Sequence, residues 1–246
     1  AYFYFLLVSN YGDVPLILDQ ATSVNEVNVA RTPSKVVYEQ ITRDMMEAER
    51  LLQTQTVSAL GYNGKITKTA VQGILARVYL TMAGYPLNDV SKYNDVLLWA
   101  QKVVDSKEHT LNPDYAQIFI NLAQDKYDVK ECIWEVEFAG DANSVYGQGT
   151  QGLGNLIGIS QTGSVSAGYS SNKVRPTRLL FDSYGVNPES SGTPKASFDL
   201  RRDWNCANFS YAGDPPVQSA PITSTWSMNP GKWRRSLTLE SPKGRN

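Results

Sequence analysis

The chain has 246 residues, enough for one large domain or two small ones with a sizeable core. Hydrophobic residues make up 41% of it and charged residues 19%, a globular and slightly charge-poor balance. A formal net charge of -1 removes the electrostatic case for nucleic acid or an anionic membrane surface, and no apolar run approaches the roughly 20 residues of a spanning helix.

The first element, AYFYFLLVSN, starts at full hydrophobic intensity with no capping residue, so residue 1 is expected to fall inside a helix. Tyr11-Gly12-Asp13-Val14-Pro15 ends it, because proline cannot continue a helix. Thr32-Pro33 is expected to open the second helix, with Thr32 as N-cap and Pro33 at the first helical position. Its apolar stripe is Val37, Ile41, Met45, Ala48 and Leu52, opposite Glu39, Arg43 and Glu47. After a polar loop from Gln53 to Asn63, residues Gly64 to Tyr85 predict a third helix, with Gln72, Leu75, Ala76 and Tyr79 at i, i+3, i+4 and i+7. That spacing matches the first helix of a tetratricopeptide repeat, in which a small residue (here Ala76) lets a second helix approach. Beyond Gly84-Tyr85-Pro86 comes that second amphipathic run, with Tyr93, Leu97, Ala100 and Val104 on one face. Tyr2, Tyr4, Tyr79 and Tyr93 lie on helical stripes and are expected to pack rather than bind.

Near Pro113 the character changes. Asn112-Pro113-Asp114 caps a short segment ending near Asn121, and Glu131 to Phe138 (ECIWEVEF) alternates in the manner of a strand. Gly140 to Ser171 is a long tract of Gly, Ser, Gln, Asn and Thr with isolated Leu, Ile and Tyr, and so long an irregular stretch is usually functional or disordered. Arg175 to Tyr184 reads as helical, and the rest as irregular chain with short strands. The fold class is therefore mainly α: tetratricopeptide-like hairpins over residues 1–121, then an irregular loop-rich region over 122–246, the two forming one integrated domain.

Little in the sequence carries chemistry. Gly147, Gly149 and Gly152 match G-x-G-x-x-G, but no strand leads directly in and no helix pattern follows, so the dinucleotide reading fails. Glu135 and Glu137 would share one face of the predicted strand, roughly 6.6 Å apart. That overlaps the spacing of an inverting glycosidase, yet such carboxylates must flank the scissile bond, which neighbours on one strand rarely do. His109 sits in a polar stretch and is expected to be solvated, and Asp125, Asp128 and Glu131 lack the ligand rhythm of a Ca²⁺ loop. Cys132 and Cys206 show no CxxC spacing, so neither a metal site nor a disulfide framework is indicated, and Asn208-Phe209-Ser210 is a glycosylation sequon by pattern alone.

Four segments in order resemble the SusD/RagB family of outer-membrane nutrient-binding lipoproteins of Bacteroidetes. They are AYFYFLLVSNYGDVPLI (Ala1 to Ile17), Arg31-Thr32-Pro33 leading into Val37-Tyr38-Glu39-Gln40-Ile41 and Glu47-Ala48-Glu49, KITKTAVQGILARVYL (Lys65 to Leu80), and Ile133-Trp134-Glu135-Val136 with the glycine-rich stretch behind it. Phe181-Asp182-Ser183-Tyr184, Asp199-Leu200-Arg201 and Gly231-Lys232-Trp233-Arg234 fit later landmarks less tightly. The resemblance implies a SusD-like α–α superhelix and a protein roughly twice as long, with a lipid-bearing N-terminal segment and a C-terminal helix pair outside this stretch. It also implies a cell-surface, lipid-anchored protein of the outer membrane that captures oligosaccharides for a SusC-like TonB-dependent β-barrel transporter. No catalysis and no cofactor are implied. Capture of peptides, or a repeat-type interaction scaffold, is the alternative, and a glycoside hydrolase is a distant third.

A glycan site needs flat aromatic faces ringed by hydrogen-bonding side chains. Tyr146, Tyr169 and Trp226 stand among Gly, Ser and Thr with no apolar neighbours in sequence to pack against, which makes them the candidate platforms. Tyr146 and Tyr169 are favoured because they fall where the family's binding loops follow the strand. Asn143, Gln148, Asn172 and Arg175 are the neighbouring polar candidates.

Overall fold

The computed structural model describes residues 1–19, 28–52, 55–124, 126–136, 161–162, 175–191, 197–207, 210–212, 217–218 and 227–228. The chain divides into two units, residues 1–111 with 128–136, and residues 112–127 with 137–246. It is mainly α-helical, as the hydrophobic periodicity predicts.

The first unit is built from α1 (Tyr2–Tyr11), α2 (Ser34–Leu51), the single turn α3 (Val57–Leu60), α4 (Lys68–Ala83) and α5 (Tyr93–Ser106), the last preceded by a 3₁₀ turn at Val90–Lys92. Helix α4 is the centre of this unit, packed against both α2 and α5. Its burial explains its weak amphipathicity: Ala70, Val71, Leu75, Val78, Tyr79, Met82 and Ala83 are all buried, and of its sixteen residues only Arg77 and Leu80 are exposed. The Thr67 hydroxyl caps its start by accepting from the Ala70 N–H at 3.2 Å. Gln72 joins the stripe through chemistry rather than apolarity. Its amide donates to Glu49 Oε1 at 2.7 Å, and Lys68 and Lys102 approach the same carboxylate at 3.8 and 4.0 Å. Phe5 and Val8 of α1, with Val37, Tyr38, Ile41 and Met45 of α2, complete the core beside Trp99 of α5.

Two sequence expectations need correction here. Thr32 does not cap α2. It pairs instead with Val14 in an antiparallel bridge, and α2 begins at Ser34 with Pro33 as its non-helical first flank. The cap comes from far away in sequence: Asp13 Oδ1 accepts from the Ser34 N–H at 2.7 Å. Gly12 makes this possible, since it ends α1 at φ +70°, a left-handed conformation that glycine adopts without a Cβ clash, and turns Asp13 back toward α2.

The second correction concerns α5. The stripe Tyr93, Leu97, Val104 is 50%, 69% and 64% exposed, whereas Trp99, with Val96 beside it, enters the core. The α5 sequence is apolar on two sides (Val96, Trp99 and Val103 against Tyr93, Leu97, Ala100 and Val104), so periodicity alone does not choose between them. Lys102 then covers the outer face of Trp99, its ammonium 3.7 Å from the ring centroid.

The second unit contains α6 (Tyr115–Ala123), α7 (Arg178–Ser183) and α8 (Leu200–Asn205), with two-residue strands β1 (Gln161–Thr162), β2 (Cys206–Ala207), β3 (Tyr211–Ala212), β4 (Val217–Gln218) and β5 (Ser227–Met228). Strand β3 pairs in parallel with β1 and antiparallel with β4, while β2 pairs antiparallel with β5. Each helix opens on a side-chain cap: Asp114 accepts from Ala116 N–H, Thr177 from Leu180 N–H and Asp199 from Arg201 N–H. Phe181, Tyr184 and Cys206 form a small apolar cluster, and Arg202, 1% exposed, lays its guanidinium 4.7 Å from the Phe181 ring centroid. Ser197 Oγ donates to the Tyr184 carbonyl at 2.9 Å, so the Phe181–Tyr184 and Asp199–Arg201 segments meet in space.

Candidate functional site

Of the seven candidate ligand contacts, Arg175 alone lies among the described residues. It is exposed, two positions ahead of the Thr177 cap of α7. Tyr146, Tyr169, Trp226, Asn143, Gln148 and Asn172 lie outside the described residues, as do Glu137, Gly147, Gly149, Gly152 and Asn208. What the structure does define is the segment that leads into the glycine-rich tract, residues 128–136.

This segment is not a strand. Residues 131–136 run as turn and irregular chain bound across the first unit, and Glu137 lies outside the described residues. The alternation of the sequence is not kept in the structure: residues 131–135 are all half-buried, Val136 is exposed, and three consecutive residues each find their own contact. Ile133 lies over α4 at Gly73, where a Cβ added to the glycine would sit 3.6 Å from Ile133 Cγ2. Trp134 donates from Nε1 to the Gly64 carbonyl at 3.4 Å and meets the Tyr2 ring edge-on, centroids 5.1 Å apart. The Glu135 N–H donates to the Asn63 carbonyl at 3.2 Å.

Asn63 is the hub of this attachment. It is 1% exposed, and its side-chain amide donates to the Cys132 carbonyl and, at 3.5 Å, to the Asp128 carbonyl. Sequence reasoning missed it, since Tyr62-Asn63-Gly64 reads as an ordinary polar turn and nothing local marks this Asn as buried.

His109 also departs from expectation. It is half-buried, not solvated: Nε2 lies 2.9 Å from the buried Thr69 Oγ1, and Nδ1 lies 3.3 Å from the Lys130 carbonyl. The Thr110 N–H donates to that same carbonyl at 3.1 Å. The chain just beyond α5 thus holds residues 128–136 through Lys130, while Asn63 holds them through Asp128, Cys132 and Glu135.

The surroundings are acidic. Asp128 Oδ1 accepts from the Glu131 N–H at 3.2 Å, closing the turn in the manner of a local cap. Burial first, then a hydrogen bond with Glu135 and the charges of Glu135, Asp128 and Glu131, push the Cys132 thiol up to about 12. Cys206 is buried in the second unit. Both thiols of the folded chain are therefore expected to resist a disulfide reagent such as DTNB at pH 8, Cys132 on the order of a thousandfold more slowly than a free thiol. Rapid reaction of either one before urea is added would contradict this placement. Among the described residues no group of three His, Cys, Asp or Glu side chains is arranged to hold a metal ion, and Asp125 lies outside them. Nor is any described helix long and apolar enough to cross a membrane.

Residues 1–80 match a SusD-like family profile described as "Starch-binding associating with outer membrane". No curated protein matches the chain significantly. Among solved structures, it is similar to a SusD homologue from Bacteroides thetaiotaomicron, at 24% identity and a TM-score of 0.68, over 88% of this chain and 40% of that one. A SusD superfamily protein from Parabacteroides distasonis matches at 22% identity and a TM-score of 0.66, over 99% of this chain and 48% of that one. Surface glycan-binding protein A from Bacteroides thetaiotaomicron, solved in complex with laminarihexaose, matches at 17% identity and a TM-score of 0.59, over 95% and 49%. The chain therefore spans less than half the length of these structures. The sequence match to the SusD-like profile thus covers residues 1–80, and the similarity of fold to SusD-like structures extends over most of the chain.

Proposed function

We propose that this chain is part of a cell-surface binding protein of the outer membrane that captures oligosaccharides and passes them to a SusC-like TonB-dependent barrel. The observation that carries this reading is the SusD-like fold over most of the chain, shared with a glycan-binding protein that holds laminarihexaose. The family profile, whose description couples starch binding to the outer membrane, supports the same class. In this reading the helical unit is framework and the transporter-facing side, a lipid anchor holds the whole protein at the surface, and the reaction is binding and release with no bond made or broken.

Ligand contact is assigned to Tyr146 and Tyr169, with Trp226 as a further platform and Asn143, Gln148, Asn172 and Arg175 as hydroxyl partners. The sequence supports this through the isolation of those rings among small polar residues, Tyr146 and Tyr169 within the glycine-rich tract that follows the anchored segment 128–136. An anchored lead-in lowers the ordering entropy that a binding tract loses when ligand arrives.

Tyr146→Ala and Tyr169→Ala are each expected to weaken oligosaccharide binding about tenfold, or roughly 1.4 kcal/mol, without altering the helical circular dichroism signal. A glycan array on the protein followed by titration of the best ligand reads this out. Unchanged affinity in both variants would remove these residues from the site. Affinity for peptides in place of glycans would move the protein to the alternative substrate class.

A further inference from the structure

A cavity of about 550 Å³ opens in the helical unit, lined by Lys35, Glu39 and Thr42 of α2, Tyr79 and Met82 of α4, and Leu87, Asp89 and Lys92 beyond it. Its size lies within the range of small-molecule sites, and it belongs to the part of the chain that serves as framework in the glycan reading.

The floor is apolar and buried: Tyr79 and Met82 are both core residues, with Leu87 packed against them. Burial, followed by the charge of Asp95, pushes the Tyr79 phenol up from its ordinary range, so it stays neutral. The mouth carries four charges of two kinds. Asp89 and Lys92 are already matched. Asp89 accepts from the Ser91 hydroxyl, and that bond, with Lys92 and Lys35 nearby, holds its carboxyl below the usual range. Lys92 lies 3.5 Å from Asp95 and 5.7 Å from the Tyr79 ring centroid.

Lys35 and Glu39 differ. They are one turn apart on the same side of α2, roughly 5–6 Å between Cβ atoms. Yet among the described residues neither takes part in an ion pair, with the other or with anything else. An ammonium and a carboxylate thus line the same cavity above an apolar floor with neither in an ion pair, although the Lys35 charge also reaches Asp89.

From this arrangement we infer that the cavity binds a small zwitterion with an apolar side chain, that is, a free α-amino acid of the leucine, methionine or phenylalanine type. Its ammonium pairs with Glu39, its carboxylate with Lys35, and its side chain covers Met82, Leu87 and the edge of Tyr79. Such a ligand neutralises both charges as it takes them out of water, which a neutral molecule of the same size does not do. A sugar fits less well, because the Tyr79 ring is buried and already carries the Lys92 ammonium over one face. The site uses none of the residues assigned to glycan contact and does not depend on them.

The test is calorimetric or NMR titration of the full 246-residue chain with L-leucine, L-leucine methyl ester, N-acetyl-L-leucine and D-glucose. Saturable binding of L-leucine is expected, with each blocked derivative weaker by about tenfold. Glu39→Gln should weaken L-leucine about tenfold but leave N-acetyl-L-leucine unchanged, because that derivative has no ammonium to lose. Lys35→Gln should weaken L-leucine and spare the methyl ester in the same way. Both positions are exposed, so neither variant threatens the fold. No saturable binding of L-leucine, L-methionine or L-phenylalanine overturns the inference, as does equal binding of the blocked derivatives or displacement of L-leucine by glucose. Tyr146→Ala should leave leucine binding intact, which keeps a failure here distinct from a failure of the glycan site.

Discussion

Leu75→Ala is expected to cost the helical unit about 2–5 kcal/mol. Leu75 is fully buried and belongs to the cluster that joins α1, α2, α4 and α5, so its removal leaves a cavity bounded by several elements that cannot all collapse inward. The companion variant Leu97→Ala on α5 should change stability by no more than about 0.5 kcal/mol, because Leu97 is an exposed residue. Hydrogen exchange of the α4 amides is the suitable measurement, since a chain of two units need not unfold in one step. Equal losses from the two variants would mean that the outer side of α5 is covered in solution and that this helix is oriented differently.

Asn63→Ala should release residues 128–136 while leaving α4 and α5 protected. The substitution strips a donor from the Cys132 and Asp128 carbonyls within a nearly closed site, a cost of about 1–3 kcal/mol. The expected result is faster exchange and earlier proteolytic cleavage confined to residues 128–136. Global destabilisation with no local opening would refute the view of Asn63 as the hub of this attachment.

Asn63→Asp sharpens the test through pH. The new carboxylate would be buried near Asp128, Glu131 and Glu135, the same charges that raise the Cys132 thiol. Such a group holds its proton more tightly folded than unfolded. Its destabilisation is therefore small below about pH 4, the unfolded carboxylate range, and grows as pH rises toward 7. A penalty that stays flat from about pH 4 to 7 would place the side chain in water instead.

Much of the helical architecture was legible in the residues. The stripe Leu75, Ala76, Tyr79 predicts α4 because a helix packed on two neighbours must carry apolar groups at that period, and Thr67 marks its start by local hydrogen bonding. Pro15, the Gly12 turn and the Asp114 cap are likewise local in origin. The candidate glycan contacts at Tyr146 and Tyr169 rest on local composition too, the absence of apolar sequence neighbours.

Other features depend on partners distant in the chain, and for these only the tertiary structure decided. Thr32 looks like a cap, but Asp13, 21 residues ahead of Ser34, supplies the acceptor, because a bond from a fixed turn serves the same free N–H. Helix α5 is apolar on two sides, and what selects the side of Trp99 is the surface of α4 rather than any property of α5 itself. Residues 131–136 alternate like a strand, yet they have Asn63, Gly64, Gly73 and Tyr2 to satisfy them singly, so no ladder forms. Lys35 and Glu39 read as one wet face of α2 until the 85–92 connection closes over Tyr79 and gives that face a floor. The amino-acid sequence by itself thus determined which segments are helical and roughly where they stop, since periodicity and capping are properties of neighbouring residues. The tertiary structure decided which face is covered, which polar group is buried and where a charged pair meets a cavity, because each of those is set by what a second segment brings to it.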